Sequence, residues 1–484
     1  MRVPALVGDG LWRDEANVYV QLSAPSFAEF FRRVIATEWH PPLFFLLMYC
    51  WGKVAGTSEF ALKVLPFVFS VATVALVYRL GKAAASFTTG AIGAALYAIA
   101  PFAVAYSSEY LYPLSGFLST LLALLVVRAR NRPFTGARFT MLALAALLVV
   151  FTHYTALFFI PLLVVWALAS GAGGRHRIGV AAALIAGAAP FIFWLPVFIR
   201  QRQIGLPYSS APTAIQKAAF LVRTSAALIP VRPGLLECAF VALLLVALVA
   251  LVRARVVERD PFVLAAIFVA MLLAVTSANL MTPRYVLPYY GLACVFLGWL
   301  LARFGALAVA ETAPPRRWGI WAAALLGLVL VAGDAAGAIA TSRTPKSGIR
   351  SIAHRPVVDA ATLYVIAPDY LASTFAYYAR DSRANYAGFV RWDQPEVFRL
   401  ENYAADWNRT DAVDRTLERI AAAPRRYTLL NIVVDDRARD EGQLAYGRIH
   451  EMLHRISARY RLLSRTQHAG RYESVSEYRF LRRM

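Results

Sequence analysis

Charge is what this chain has least of. Only 16% of its 484 residues are Asp, Glu, Lys or Arg, against about 25% in soluble domains. The hydrophobic share is 59% and the mean hydropathy +0.53. An ordinary soluble fold is thereby excluded, and apolar runs of spanning length recur, so the chain reads as a polytopic helical membrane protein. Cysteine is scarce too: Cys50, Cys238 and Cys294 are scattered in or beside apolar runs, without metal-ligand spacing, and read as apolar fillers. No internal repeat or low-complexity tract is present, and residues 1–10 lack the apolar stretch of a signal peptide. The net charge of +21 would suit nucleic acid, but the basic residues fall in short clusters between apolar segments and in the C-terminal tail. Membrane orientation accounts for them, so no nucleic-acid partner is expected.

The segments expected to span are 60–80, 90–106, 110–127, 139–152, 154–170, 179–199, 235–252, 261–281, 285–303 and 318–340, about ten in all. Residues 41–56 are apolar but short and carry Tyr49, Trp51 and Lys53, which suits interfacial helices within a first outer loop, residues 1–59. The stretch 139–170, interrupted at Thr152-His153-Tyr154, is either one long helix or two short ones. Two short helices put the clusters Arg79/Lys82, Arg128/Arg130/Arg132/Arg138, Arg175/Arg177, Arg253/Arg255/Arg259 and Arg303/Arg316/Arg317 on one side, as the positive-inside rule requires. One helix flips the later clusters, so two are preferred. The N-terminus then lies outside, and a further spanning helix ahead of Met1 is expected.

The consequence is a sidedness. The extracytoplasmic face receives residues 1–59, the turns at 106–110, His153 and 281–285, the loop 200–233, and everything after about residue 339. Asp14, Glu15, His40, Glu109, His153 and Arg284 all collect there, and ionisable groups near hydrocarbon mark a site by default. After residue 341 the pattern changes to strands at 362–367 and 427–434, helices at 370–380, 413–423 and 441–460, and one or two strands in 461–480. That is an α/β domain, residues 341–484, above the site. Asp369 and Asp435-Asp436 follow strands where ligands often bind, yet residues so placed are more often simple turn and cap residues. Duller readings also stand beside the others: Asp14 and Glu15 as solvated loop charges, His40 as the polar end of a Pro41-Pro42 turn, Glu109 as a snorkelling glutamate, His153 as a hydrogen-bonded hinge, Arg284 as an interfacial anchor, and Asp334 as a helix-packing residue.

Taken in order, Trp12-Arg13-Asp14-Glu15, His40-Pro41-Pro42, Ser58-Glu59-Phe60-Ala61-Leu62-Lys63, Tyr106 to Tyr112, His153-Tyr154 and Arg284-Tyr285-Val286-Leu287-Pro288 resemble the successive signatures of the GT-C glycosyltransferases. The likeness is to the bacterial relatives of protein O-mannosyltransferases and of the lipid A aminoarabinose transferase, over roughly residues 11–340. Members of that family begin with a transmembrane helix leading into the Asp-Glu pair, which is the helix expected ahead of Met1. The resemblance implies a mainly α, multi-pass inner-membrane protein with its site and C-terminal domain extracytoplasmic. It further implies inverting transfer of a hexose or pentose from a polyprenyl-phosphate donor to a hydroxyl of a glycan, lipid or protein. In that scheme Asp14 is the base and Glu15 its neighbour, while Arg284, Tyr285 and His40 meet the donor phosphate. Glu109, His153 and Tyr106 meet the acceptor or a divalent metal ion, for which Glu15 and His40 are further ligands. The alternative class is a polytopic transporter, or a lipid-linked glycan flippase or polymerase. A transporter should place its polar residues near the midplane between two related halves.

Overall fold

A computed structural model describes residues 6, 10–130, 133–169, 174–204, 213–227, 258–280, 282–310, 345–353, 361–380, 385–397, 410–436 and 444–482. The expected spans 235–252 and 318–340, with Cys238 and Asp334, lie outside the described residues.

The first loop folds into three short helices, α1 (Arg13–Leu22), α2 (Phe27–Thr37) and α3 (Leu43–Ala55). At about 1.5 Å per residue none reaches across a hydrocarbon layer of ~30 Å. Local chemistry sets their starts. The Trp12 N–H donates to Glu15 at 3.3 Å, and Ser26 Oγ accepts from the Glu29 N–H at 3.2 Å, so each helix satisfies a donor that has no partner within the helix itself.

The apolar bundle follows: α4 (Glu59–Ala84), α5 (Phe87–Ile99), α6 (Tyr112–Arg130), α7 (Gly136–Val150), α8 (Ala156–Leu168), α9 (Gly174–Ala188), α10 (Arg259–Ser277) and α11 (Tyr290–Ala310). Among the described residues five stretches are long and apolar enough to cross a membrane: Glu59–Ala84, Tyr112–Arg130, Gly174–Phe193, Arg259–Ser277 and Pro283–Arg303. Residues 139–170 are two helices hinged at the sequence around His153, as expected. Two other expected spans are broken. The segment 90–106 divides at Pro101 into α5 and the short helix Pro101–Ala105, and 179–199 divides at Pro190 into α9, a 3-10 turn Ala189–Phe193 and the helix Leu195–Ile204. Proline removes the donor that would continue each helix.

Glycine lets the bundle close. α5 packs against both α4 and α11. A Cβ on Gly298 would sit 2.6 Å from the Gly93 nitrogen, and one on Gly81 would sit 2.7 Å from Gly90 Cα, so these helices cross backbone to backbone. The turns at 106–110, His153 and Arg284 share one end of the bundle with the first loop. Arg130, Arg259 and Arg303 take the other end, where Arg130 pairs with Asp260 at 2.7 Å and Arg303 with Glu258.

The C-terminal part is a five-stranded sheet of order β2-β1-β3-β5-β4, with β1 (Thr362–Ala367), β2 (Asn385–Gly388), β3 (Leu429–Asp435), β4 (Arg461–His468) and β5 (Val475–Leu481). β2, β1 and β3 are parallel, and β5 runs antiparallel to β3 and β4. Helices α12 (Ala372–Ala379), α13 (Ala412–Ala422) and α14 (Leu444–Arg459) complete it. Tyr364, Phe375 and Tyr378 join the same core as Leu11, Ala16 and Phe30 of the first loop, while Val365, Ile432, Leu417 and Met452 form a second, smaller core. The α/β part is thus seated on the first loop.

Candidate active site

The centre of the site is Asp14, in the first turn of α1. Its Oδ2 lies 3.3 Å from Arg284 Nη1 and its Oδ1 3.2 Å from Arg13 Nε. Arg284 arrives from the far end of the chain. α10 ends at Ser277, Asn279 turns the chain with a left-handed φ of 59°, and Pro283 opens the 3-10 turn that carries the arginine into α11. Its guanidinium also lies over the Trp12 ring at 4.9 Å and the Tyr112 ring at 5.7 Å.

Glu15 faces the other way. Its Oε1 is 2.6 Å from Lys346 Nζ, and that same ammonium is 3.7 Å from Glu109 Oε1, with all three side chains buried. Arg471 adds a second cation to Glu109 at 3.5 Å. Burial pushes the Glu15 carboxyl up to about 7 against the pull of Lys346 and Lys63. Burial also raises Glu109, opposed by Lys346 and Arg471. The Asp14 side chain keeps 20% of its exposure, Glu15 5% and Glu109 none. Asp14 is therefore the carboxylate of this group that a substrate can meet.

On the other flank His40 and His153 lie with ring centroids 5.0 Å apart, bordered by Tyr285, Tyr112 and Tyr110. Burial, with Arg284 nearby, pushes the His40 imidazole down to about 3, and His153 lies well below its ordinary value for the same reason. Both rings are neutral. Behind them the buried Glu38 accepts from Asn17 at 2.6 Å, from Gln21 at 2.5 Å and from the Tyr110 hydroxyl. Tyr110 reaches it from a left-handed φ of 49° in the 106–110 turn.

The structure thus brings Asp14, Glu15, His40, Glu109, His153, Arg284 and Tyr285 to one end of the bundle. Tyr106 joins through Tyr472, whose ring stacks near it at 6.5 Å and against Trp12 at 4.8 Å. One expected combination is not assembled. Glu15, Glu109 and His40 do not converge as metal ligands: Lys346 stands between the two glutamates, and the imidazoles lie against tyrosines on the opposite flank. Among the described residues no three His, Cys, Asp or Glu side chains form a metal-holding group, and a dication beside Arg284 and Lys346 meets like charge.

Sequence reasoning did not find Lys346, Arg471, Glu473 or Glu38. Glu473 accepts from the Arg13 N–H at 2.8 Å and from Thr374 at 3.2 Å, so the β4–β5 hairpin holds the first turn of α1. The available signal was position: Lys346 is among the first polar residues after the last apolar segment, on the expected outer side. Asp369 and Asp435 are structural. Asp369 accepts from the Val390 and Arg391 N–H groups at 3.1 and 3.0 Å, and Asp435 accepts from Tyr370 at 2.6 Å.

Buried polar atoms with no protein partner gather around Asp14 and Arg284. They include Trp12 Nε1, His40 Nδ1, Ser107 Oγ, Glu109 Oε2, His153 Nε2 and Arg284 Nε. Each is a hydrogen-bonding position that the protein's own side chains leave to another polar group.

This fold, a helical bundle with an α/β domain seated over its first loop, is shared with solved structures. The structure is similar to ArnT from Cupriavidus metallidurans in the apo state, with a TM-score of 0.60 and 12% identity over 97% of this chain and 93% of that one. It is similar to the same protein bound to undecaprenyl phosphate, with a TM-score of 0.56 and 11% identity over 99% and 95%. A third likeness is to the oligosaccharyltransferase AglB from Archaeoglobus fulgidus in complex with an inhibitory peptide and a dolichol-phosphate, with a TM-score of 0.50 and 12% identity over 88% of this chain and 66% of that one. No protein-family model and no curated protein matches the sequence.

Proposed function

We propose that the chain transfers a sugar from a polyprenyl-phosphate donor to an acceptor hydroxyl, with inversion, on the extracytoplasmic face of the plasma membrane. The observation that carries this reading is the Asp14–Arg284 pair, ringed by buried polar atoms at the bundle end away from Arg130, Arg259 and Arg303. Solved structures of the same fold hold undecaprenyl phosphate and dolichol-phosphate, which supports a donor of this class.

In the resting pair the guanidinium of Arg284 satisfies Asp14. An arriving donor phosphate competes for that guanidinium, which suits phosphate oxygens in a bidentate grip. Asp14 then takes the proton of the acceptor hydroxyl as its oxygen attacks the anomeric carbon. The bond from that carbon to the phosphate oxygen breaks, and polyprenyl phosphate leaves with its charge held by Arg284. Glu15, fixed by Lys346, sets the first turn of α1 and so the position of Asp14.

The test uses the full-length protein and a labelled polyprenyl-phosphate sugar. Asp14→Asn should reduce release of polyprenyl phosphate by ~100-fold or more while leaving the bare lipid phosphate bound. Arg284→Ala should weaken that binding. Movement of the intact donor across the membrane with no glycosidic bond made, or full turnover by Asp14→Asn, overturns the reading.

A further inference from the structure

His153 reveals its own tautomer. A backbone N–H can only donate, and the Thr155 N–H points at His153 Nδ1 at 3.2 Å, with Thr155 Oγ1 at 2.7 Å from the same atom. Nδ1 is therefore the acceptor and the proton sits on Nε2, where it is buried with no acceptor. Tyr289 fixes the arrangement by bonding Thr155 Oγ1 at 2.8 Å. The facing His40 leaves Nδ1 buried and unpartnered as well. The two rings are walled by Tyr112 and Tyr285, and both of those aromatic faces also border Arg284, at 5.7 and 5.9 Å.

We propose that His40 and His153, with Tyr112 and Tyr285, form the subsite for the transferred sugar, and that this sugar carries no charge. The inference rests on the glycosyl-transfer reading and specifies its substrate. The sugar hangs one bond from the phosphate that Arg284 holds, so it falls beside the two tyrosines the arginine touches. Polar atoms and aromatic faces are what a polyol needs: imidazole nitrogens for its hydroxyls and rings for its C–H face. A cationic amino sugar finds no free carboxylate here. Both oxygens of Asp14 face guanidinium groups, and both oxygens of Glu38 are taken by Asn17, Gln21 and Tyr110. An acidic sugar meets the Asp14 carboxylate as a like charge.

The experiment measures binding to the full-length protein in detergent by tryptophan fluorescence. The probes are undecaprenyl phosphate, undecaprenyl phosphomannose and undecaprenyl phosphate bearing 4-amino-arabinose. The neutral hexose conjugate should bind ~10-fold or more tightly than either other lipid. His153→Phe, which keeps a ring and removes the nitrogens, should erase that preference and leave the affinity for undecaprenyl phosphate unchanged. His153→Gln, which restores a donor near Nε2, should recover it, and serves if the Phe variant does not fold. Equal or tighter binding of the amino sugar overturns the proposal, as does a parallel loss of undecaprenyl phosphate binding in the His variants. The underlying reading fails separately: preference for the hexose conjugate without release of undecaprenyl phosphate leaves the subsite standing and removes the transferase.

Discussion

Glu38 shows what burial does to a carboxylate that has donors but no cation. Burial pushes it up to about 8 against the hydrogen bond from Tyr110, with Asp14 adding repulsion. Between its usual 4.5 and about 8 the folded protein holds a proton that the unfolded chain has released. Its contribution to stability is therefore present at low pH and lost as pH rises through that window. His40 works in the opposite direction. Held down to about 3, it leaves the folded state short of a proton below about 6.5, so stability falls as the solution is acidified. Glu38→Gln keeps an oxygen for Asn17 and Gln21, turns its amide to Tyr110, and cannot ionise. At about 1.4 kcal/mol per pH unit of mismatch, the variant should melt several degrees above wild type at pH 9 and by a clearly smaller margin at pH 6, where only the lower part of the window has been crossed. Thermal unfolding of the detergent-solubilised protein at the two pH values measures this. An equal gain at both would show that ionisation is not the cause.

At the scale of elements, the close crossings make an equally direct prediction. Gly298→Leu on α11 forces a side chain against the α5 backbone and should cost about 1–3 kcal/mol or more, seen as a lower melting temperature and less folded protein. Gly305→Ala, on the same helix but with nothing within 4 Å of the added carbon, should be neutral or stabilising by up to ~1 kcal/mol. These glycines also mark the limit of what was legible. Hydropathy located the helices because burying apolar length is its whole content, but it does not register a lost donor, so the breaks at Pro101 and Pro190 were missed. Thr362–Ala367 was found as an all-apolar buried strand. Asn385–Gly388 was not, because Asn-Tyr-Ala-Gly has no alternation and is held at the sheet edge by its main-chain ladder with β1. Asp14, His40, Glu109, His153 and Arg284 stood out because each interrupts or borders an apolar run, where an ionisable group is costly. Lys346, Arg471 and Glu473 lie in polar sequence, where a buried charge looks like a solvated one.

For the whole molecule, those last three residues bind the two ends of the chain together. Leu11 N–H donates to the Tyr378 hydroxyl at 2.5 Å, Arg13 N–H to Glu473, and Arg350 pairs with Glu59 at 3.7 Å. Lys346 is the buried centre of this seam, because two carboxylates share its ammonium. Replacing it with methionine keeps the length of the stem, takes this ammonium from Glu15 and leaves Glu109 to Arg471, and breaking a buried pair in this way costs about 3–5 kcal/mol when the charges remain. The carboxyls would escape by taking up protons, which returns them to neutrality as pH falls. Lys346→Met should therefore be destabilised most above pH 7 and recover toward pH 6, whereas a lysine with only a packing role would give a loss independent of pH. Adding Glu15→Gln to Lys346→Met should restore part of the melting temperature, since removing both partners of a buried pair costs less than removing one. If the double variant is no more stable than Lys346→Met, the ammonium does not serve as the counter-ion of Glu15. The turn that carries Asp14 would then be held from the C-terminal domain by Glu473 on the Arg13 N–H, without help from Lys346.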